Sequence, residues 1–273
     1  MSPLSPGDLL AAGRTSDVFE YGRDAVVKVP RVGVPAHWAA AEAAFSDAIE
    51  PLGLPAPRVR SLVEVDGRPS IVFDRINGPS MWEVMCDDPV AAPDLAVLLA
   101  KVQHRIHSAG LVPGVPCLAR RTARKIAEVA DLSAEERDLA SELTEAMPRG
   151  AALLHGDLHP GNVLMSDSGP MVIDWFDASI GHPIADVTRS SFLLRSPENG
   201  RIPDHLPGAL PGLLPALREA YLDAVGDVVL GREAIAADWE RLVAVSRLAE
   251  GAGDDHEELL KIWRSRPATL SAG

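Results

Sequence analysis

Residues 153–177 read LLHGDLHPGNVLMSDSGPMVIDWFD, and the pattern of this stretch decides the fold. An apolar run ends at Leu154, and the chain then turns strongly polar, delivering His155, Asp157, His159 and Asn162. A second apolar run, Met171-Val172-Ile173, ends in Asp174. Short apolar runs between turn-forming residues read as buried strands. Polar side chains at the ends of two such strands, joined by a loop tightened by Pro160 and Gly161, can converge on one small volume. Two carboxylates and an amide gathered there offer only oxygen ligands, the chemistry of a hard divalent cation such as Mg2+. His155 and His159 leave a second arrangement open, a hydrolytic metal site built with Asp157.

His155-Gly156-Asp157, followed after four residues by Asn162, resembles the catalytic loop of the protein-kinase-like fold. It resembles in particular the aminoglycoside phosphotransferase family, where Gly stands in place of the Arg of the protein-kinase His-Arg-Asp. Asp174, 12 residues past Asn162 in Ile-Asp-Trp, matches that family's metal-binding Asp. Gly181-His182-Pro183-Ile184-Ala185-Asp186 matches its G-x-P-x-x-D continuation. The combined match has a specificity that a lone His-x-Asp lacks. The resemblance implies an α+β, two-lobed protein-kinase-like fold and ATP-dependent phosphoryl transfer to a hydroxyl group, with GTP left open as the donor. It implies that Asp157 accepts or orients the proton of the attacking hydroxyl, that Asn162 and Asp174 hold Mg2+ against the phosphate oxygens, and that Asp186 braces the catalytic loop. No activation segment ending in Ala-Pro-Glu follows Asp174, so a protein acceptor is not expected.

Toward the N-terminus the chain is strand-like over 9–76, with β-branched and aromatic runs at 18–21, 25–29, 59–65 and 70–76. Gly13-Arg14, Gly22-Arg23-Asp24 and Asp66-Gly67 mark the turns, the last a hairpin signal. One Ala-rich helix interrupts them over 35–49. Lys28 sits in Val26-Val27-Lys28-Val29, where a lone ammonium is costly unless it reaches a partner. Glu42 is the one acid near the middle of the helix. By the resemblance, Lys28 contacts the α- and β-phosphates and pairs with Glu42. The phosphate loop, Gly13-Arg14-Thr15-Ser16-Asp17-Val18, has a single Gly where protein kinases carry three, and its N–H groups with the hydroxyls of Thr15 and Ser16 are expected at phosphate oxygens. The backbone C=O of Asp74 and N–H of Ile76, with Phe73 behind, are expected at the adenine edge on the resemblance alone.

Beyond Asn77-Gly78-Pro79-Ser80 the pattern is mostly helical, over 89–108, 122–147 with a break at 131–133, 184–194, 213–225, 234–249 and 256–263. The expected organisation is an N-terminal nucleotide-binding lobe (1–76), a linker (77–80) and a C-terminal helical lobe (81–273) with the catalytic loop and the acceptor site. His104 and His107, one turn apart, read as packing or capping groups, and Asp177 as either a loop cap or an acceptor contact.

The chain has 273 residues, 47% hydrophobic and 4% aromatic, with 26 basic and 39 acidic side chains. That length supports a sizeable core without disulfide or metal staples. A net charge of −13 argues against nucleic acid and anionic membranes as partners. No apolar run approaches the roughly 20 residues that cross a bilayer, and MSPLSPGDLL lacks the features of a signal peptide. Two isolated cysteines, Cys86 and Cys117, complete the expectation of a cytoplasmic protein, monomer or homodimer. Residues 1–77 carry a net −2 and residues 78–273 a net −11, so the acidity belongs to the helical lobe. A cationic small molecule, such as an aminoglycoside or a basic peptide antibiotic, is the acceptor this charge steers toward. A choline, amino-alcohol or sugar kinase, a macrolide kinase and a nucleotide-binding protein without catalysis are the alternatives. The acids past Leu213 (Asp223, Asp227, Asp238, Asp254, Asp255, Glu257, Glu258) form no motif.

Overall fold

The computed structural model describes residues 5–196, 202, 206, 208, 210–251 and 255–265. It divides into two compact units, residues 1–79 with 164–176, and residues 80–163 with 177–273.

In the first unit, β1 (Leu9–Ala12), β2 (Ser16–Glu20), β3 (Ala25–Pro30), β4 (Val59–Val65) and β5 (Arg68–Asp74) form an antiparallel sheet in the order β1-β2-β3-β5-β4. Side chains alternate across a strand, so β3 points Ala25, Val27 and Val29 one way and Val26 and Lys28 the other. The first set packs with Val65 and Val72. Val26 packs instead with Ala39, Ala43, Ile71 and Phe73, against helix α1 (His37–Ile49). The buried stripe of α1 is Ala39, Glu42, Ala43, Ser46 and Ile49, at helical spacing. A period of two in the strand and of 3.6 in the helix thus bring Lys28 and Glu42 to one layer.

The segment 164–176, which sequence order leaves in the C-terminal lobe, folds with this first unit. Strands β6 (Ala152–Leu154) and β7 (Val163–Ser166) flank the catalytic loop, and β7 pairs with β8 (Gly169–Val172). The Met165 N–H donates to the Pro79 carbonyl at 2.8 Å, and the Val172 N–H to that of Pro55 at 2.5 Å. Trp175 then lies 5.8 Å from the Phe45 ring and Phe176 4.5 Å from Trp38, centroid to centroid. Both aromatics are anchored on α1, which fixes the turn carrying Asp174.

In the second unit, α2 (Met81–Asp87) follows directly on Pro79 and is opened by a capping box: Ser80 accepts from the Glu83 N–H while the Glu83 carboxylate accepts from the Ser80 N–H. Helices α3 (Ala92–His107), α4 (Leu118–Glu128) and α5 (Ala134–Ala146) lead to β6, which pairs with β9 (Ser179–Gly181). Helices α6 (Pro183–Leu193), α7 (Leu210–Ala224), α8 (Gly226–Val229), α9 (Glu233–Ala249) and α10 (His256–Trp263) follow. Helix α9 packs on α4, α5, α6 and α10 around a core that includes Ile126, Leu143, Phe192, Leu242 and Trp263. Among the described residues, no helix is long and apolar enough to cross a membrane.

Candidate active site

In the first unit, Thr15, Ser16, Lys28 and Glu42 line one cleft together with Trp38, Ile71 and Phe176. The Gly13 N–H donates to the Ser16 carbonyl at 2.9 Å, and a Cβ on Gly13 would lie 2.6 Å from that oxygen, so this loop closes tightly only around glycine. Lys28 Nζ donates to Glu42 Oε1 at 2.6 Å and to Asp174 Oδ1 at 2.9 Å. Burial alone lowers a lysine's proton affinity, but the Asp174 and Glu42 carboxylates outweigh it and hold the Lys28 ammonium above its ordinary range. Glu42 moves upward, because burial and the Asp174 charge outweigh the attraction of Lys28. Asp174 has φ +61°, a left-handed conformation that Asp tolerates better than most side chains. Asp74 ends β5, with its carboxylate 2.5 Å from Arg60 Nε, and Ile76 lies two residues beyond.

In the second unit, Asp186 organises the loop after β6. Its carboxylate accepts from the backbone N–H of His155 (3.2 Å) and Gly156 (2.7 Å), from Gln103 Nε2 (3.1 Å), and lies 2.9 Å from His107 Nε2. Burial would raise its pKa, but His107, with His155 and the Gly156 N–H, holds it below the ordinary carboxylate range. The bracing expected of Asp186 is therefore present, and His107 shares in it.

Both loop imidazoles serve the backbone. His155 Nδ1 accepts from the Asp157 N–H at 3.3 Å and His159 Nδ1 from the Gly161 N–H at 3.1 Å. Among the described residues, no group of three His, Cys, Asp or Glu side chains could hold a metal ion. Asn162 Nδ2 donates to the Asp157 carbonyl at 2.9 Å, which leaves its amide oxygen as the end for a cation.

Sequence reasoning missed the ion pairs around Asp157. Arg189 Nη2 donates to Asp157 Oδ1 at 3.0 Å and to Glu250 Oε1 and Oε2 at 3.2 and 3.1 Å. Lys125 Nζ lies 2.7 Å from Glu250 Oε1 and 3.1 Å from Asp177 Oδ1, and Arg121 Nη1 donates to that Asp177 oxygen at 2.7 Å. Asp177 is thus an ion-pair partner within the unit. Arg121, Lys125 and Arg189 line a second cleft with Asp177, Asp186 and Trp239. A signal for Arg189 was available: it is a charged residue inside α6, whose residues from Ile184 to Leu193 are all buried, and such a charge needs a partner. Of the acids past Leu213, Asp238 is fully buried beside Arg241 (3.9 Å), and Asp254 lies outside the described residues.

A five-stranded antiparallel sheet with one helix that pairs its Glu with a strand Lys, and a helical unit carrying an Asp-braced His-Gly-Asp loop, define a protein-kinase-like phosphotransferase. Residues 9–245 match the model of the phosphotransferase enzyme family, and the chain belongs to that family. The family is one of phosphotransferases. Solved structures share the fold. A thermostable mutant of the aminoglycoside phosphotransferase APH(4)-Ia, in a ternary complex with AMP-PNP and hygromycin B, is 17% identical with a TM-score of 0.65, over 99% of this chain and 95% of that one. An aminoglycoside-3'-phosphotransferase of type VIII is 22% identical with a TM-score of 0.57, over 90% and 91%. A choline/ethanolamine kinase family protein from Mesorhizobium loti is 18% identical with a TM-score of 0.55, over 100% and 90%. No curated protein sequence matches the chain.

Proposed function

We propose that this protein transfers the γ-phosphate of ATP to a hydroxyl of an aminoglycoside or another cationic antibiotic, in the cytoplasm, where its free thiols Cys86 and Cys117 remain reduced. The observation that carries the reading is the meeting of Lys28, Glu42 and Asp174, the kind of charged constellation that phosphoryl-transfer sites use. In this reading Thr15 and Ser16 receive phosphate oxygens, Lys28 neutralises the α- and β-phosphates while Glu42 fixes its direction, and Asp74 and Ile76 present their backbone to adenine. Asp157 takes up or orients the proton of the attacking hydroxyl. Asp174 and Asn162 supply hard oxygen donors suited to Mg2+, and that ion, when bound, neutralises charge on the transferring phosphate. The helical lobe delivers Asp157 on a loop whose backbone Asp186 holds still, so little reorganisation accompanies transfer.

The net −11 of residues 78–273 and the hygromycin B bound in the APH(4)-Ia complex support a cationic acceptor. A second reading, a kinase for choline, an amino alcohol or a sugar, draws on the pairing of Asp157, Asp177 and Glu250 with Arg189, Arg121 and Lys125. Carboxylates already matched by internal cations attract a polycation less. ADP release from Mg·ATP across hygromycin B, kanamycin, a macrolide, choline, ethanolamine and sugars separates these readings. Turnover on an aminoglycoside, lost in Asp157→Ala while ATP binding survives, supports the first reading. Turnover confined to choline, ethanolamine or sugars supports the second. Nucleotide binding with no turnover on any acceptor overturns the catalytic assignment.

A further inference from the structure

Helix α6 touches the catalytic loop twice. Asp186 ties down its backbone, and one turn later Arg189 reaches the Asp157 carboxylate itself. The Arg189 and Asp157 side chains are 6% and 5% exposed, and Glu250, which closes α9 from the opposite side, is 8% exposed. We propose that Arg189 is a positioning residue for the proposed base, restraining the orientation of the Asp157 carboxylate, with Glu250 as the buried counter-charge that pairs the same Arg189 nitrogen. The proposal rests on the assignment of Asp157 as the group that takes the acceptor's proton.

The chemistry explains why three charges are kept buried. For folding alone, a well-packed apolar cluster of similar volume serves as well as or better than a buried ion network. Nη2 bound to Oδ1 anchors that oxygen and restrains the rotation of the carboxylate. During transfer the acceptor hydroxyl oxygen forms a bond to the γ-phosphorus, the bond from that phosphorus to the bridging oxygen of ADP breaks, and the hydroxyl proton passes to Asp157. Glu250, bound to the same nitrogen through both oxygens, keeps the guanidinium paired and in place beside Asp157. Arg189 stays charged throughout, because Glu250, Asp157 and Asp177 outweigh the burial that would lower its proton affinity. The other charged groups facing this cluster are Arg247 on α9, 3.8 Å from Glu250 Oε2, and Lys125 and Arg121 on α4.

The test uses the full chain with Mg·ATP and whichever of kanamycin, hygromycin B, choline or ethanolamine the wild type turns over fastest, and with water alone where none is used. Arg189→Met is expected to lower kcat about 100-fold with KM for ATP within about threefold. Arg189→Lys restores part of kcat. Glu250→Gln is expected to lower kcat about 10-fold, again with KM for ATP within about threefold. A fall in kcat per folded enzyme with KM kept, and its partial rescue by lysine, are beyond a merely structural role, which would reduce the folded fraction alone. If Arg189→Met does not fold, Arg189→Lys and Glu250→Gln carry the test. A folded Arg189 variant with wild-type kcat overturns the proposal, as does a fall in kcat that matches the loss of folded protein. Asp157→Asn with near-normal turnover would instead overturn the assignment of the base.

Discussion

Lys28 Nζ lies 2.9 Å from Asp174 Oδ1, two residues 146 positions apart in the chain, and holds Glu42 at 2.6 Å with the same ammonium. The Lys28 and Glu42 side chains are 15% and 7% exposed, so the ion pair is largely removed from water. Lys28→Met leaves Glu42 buried without its cation, and a stability loss of about 2–4 kcal/mol is expected. The double variant Lys28→Met/Glu42→Gln should lose clearly less than the sum of the single losses, because both remove the same interaction. Urea melts of the four proteins measure this. Lys28 is raised above its ordinary 10.5, so its contribution to stability is complete below about pH 10.5 and disappears as pH rises through the folded value. The alkaline loss should be absent from Lys28→Met.

Gly156 adopts φ +80°, and a Cβ there would sit 2.3 Å from the Asp177 carbonyl oxygen. Gly67, in the β4–β5 turn, has φ +73° with nothing within 4 Å of its Cβ position. Alanine at Gly67 should therefore cost only the left-handed backbone, about 1 kcal/mol, whereas Gly156→Ala adds a backbone clash and should cost about 3 kcal/mol or more. Thermal melts of the two variants, with turnover recorded alongside, separate conformational strain from crowding. Equal losses would mean that the loop after β6 yields.

The strand over 59–65 and the helix over 256–263 agree with the structure to the residue, because a period-2 run ended by Asp66-Gly67 and an amphipathic run ended by Trp263 leave little freedom of register. Lys28, Glu42 and Asp174 were legible because Lys28 and Glu42 are charges inside apolar runs and Asp174 ends one, places where burial penalises an unpaired charge. Strand β1 was not marked by itself: all four of its residues are exposed, so no alternation appears. Helix α2 was hidden behind Asn77-Gly78-Pro79, although its capping box from Ser80 to Glu83 could have announced it. The placement of 164–176 with the first unit depends on Trp175 and Phe176 stacking on α1, and pairing between 176 and residues near 40 has no local signature. The Arg189–Glu250 contact, 61 residues apart, is of the same kind.

Asp186 takes hydrogen bonds from two backbone N–H groups, Gln103 and His107 while wholly buried. Asp186→Asn keeps one carbonyl oxygen but sets an NH2 against donors already in place, and a loss of about 2–4 kcal/mol is expected. The sign of the pH effect follows from its depressed pKa. Its stabilisation is present above the ordinary 3.8 and is lost as pH falls through the lower folded value. Acid titrations of stability should therefore be less steep below about pH 4 in Asp186→Asn than in the wild type. An unchanged acid slope would place the acid sensitivity elsewhere.

His182 is the N-cap of α6, with Nδ1 accepting from the Ile184 N–H at 3.2 Å. Burial, with the charges of Arg232 and His107, holds its pKa below the ordinary 6.5. The unfolded chain then binds the proton more readily than the folded one, so stability falls as pH drops through 6.5 toward the folded value. Protonation also converts the accepting nitrogen into a donor and abolishes the cap. His182→Asn keeps an acceptor that does not titrate, and its urea midpoint should vary less between pH 7 and 5 than the wild type's. His182→Ala should cost about 1 kcal/mol at pH 7 and lose the same slope. Because α6 carries both Asp186 and Arg189, fraying at its first turn reaches the Asp157 loop, and His182→Ala should lower turnover at pH 7 by more than its lost stability accounts for. Turnover that simply tracks the folded fraction would show that the first turn of α6 is mechanically independent of the loop.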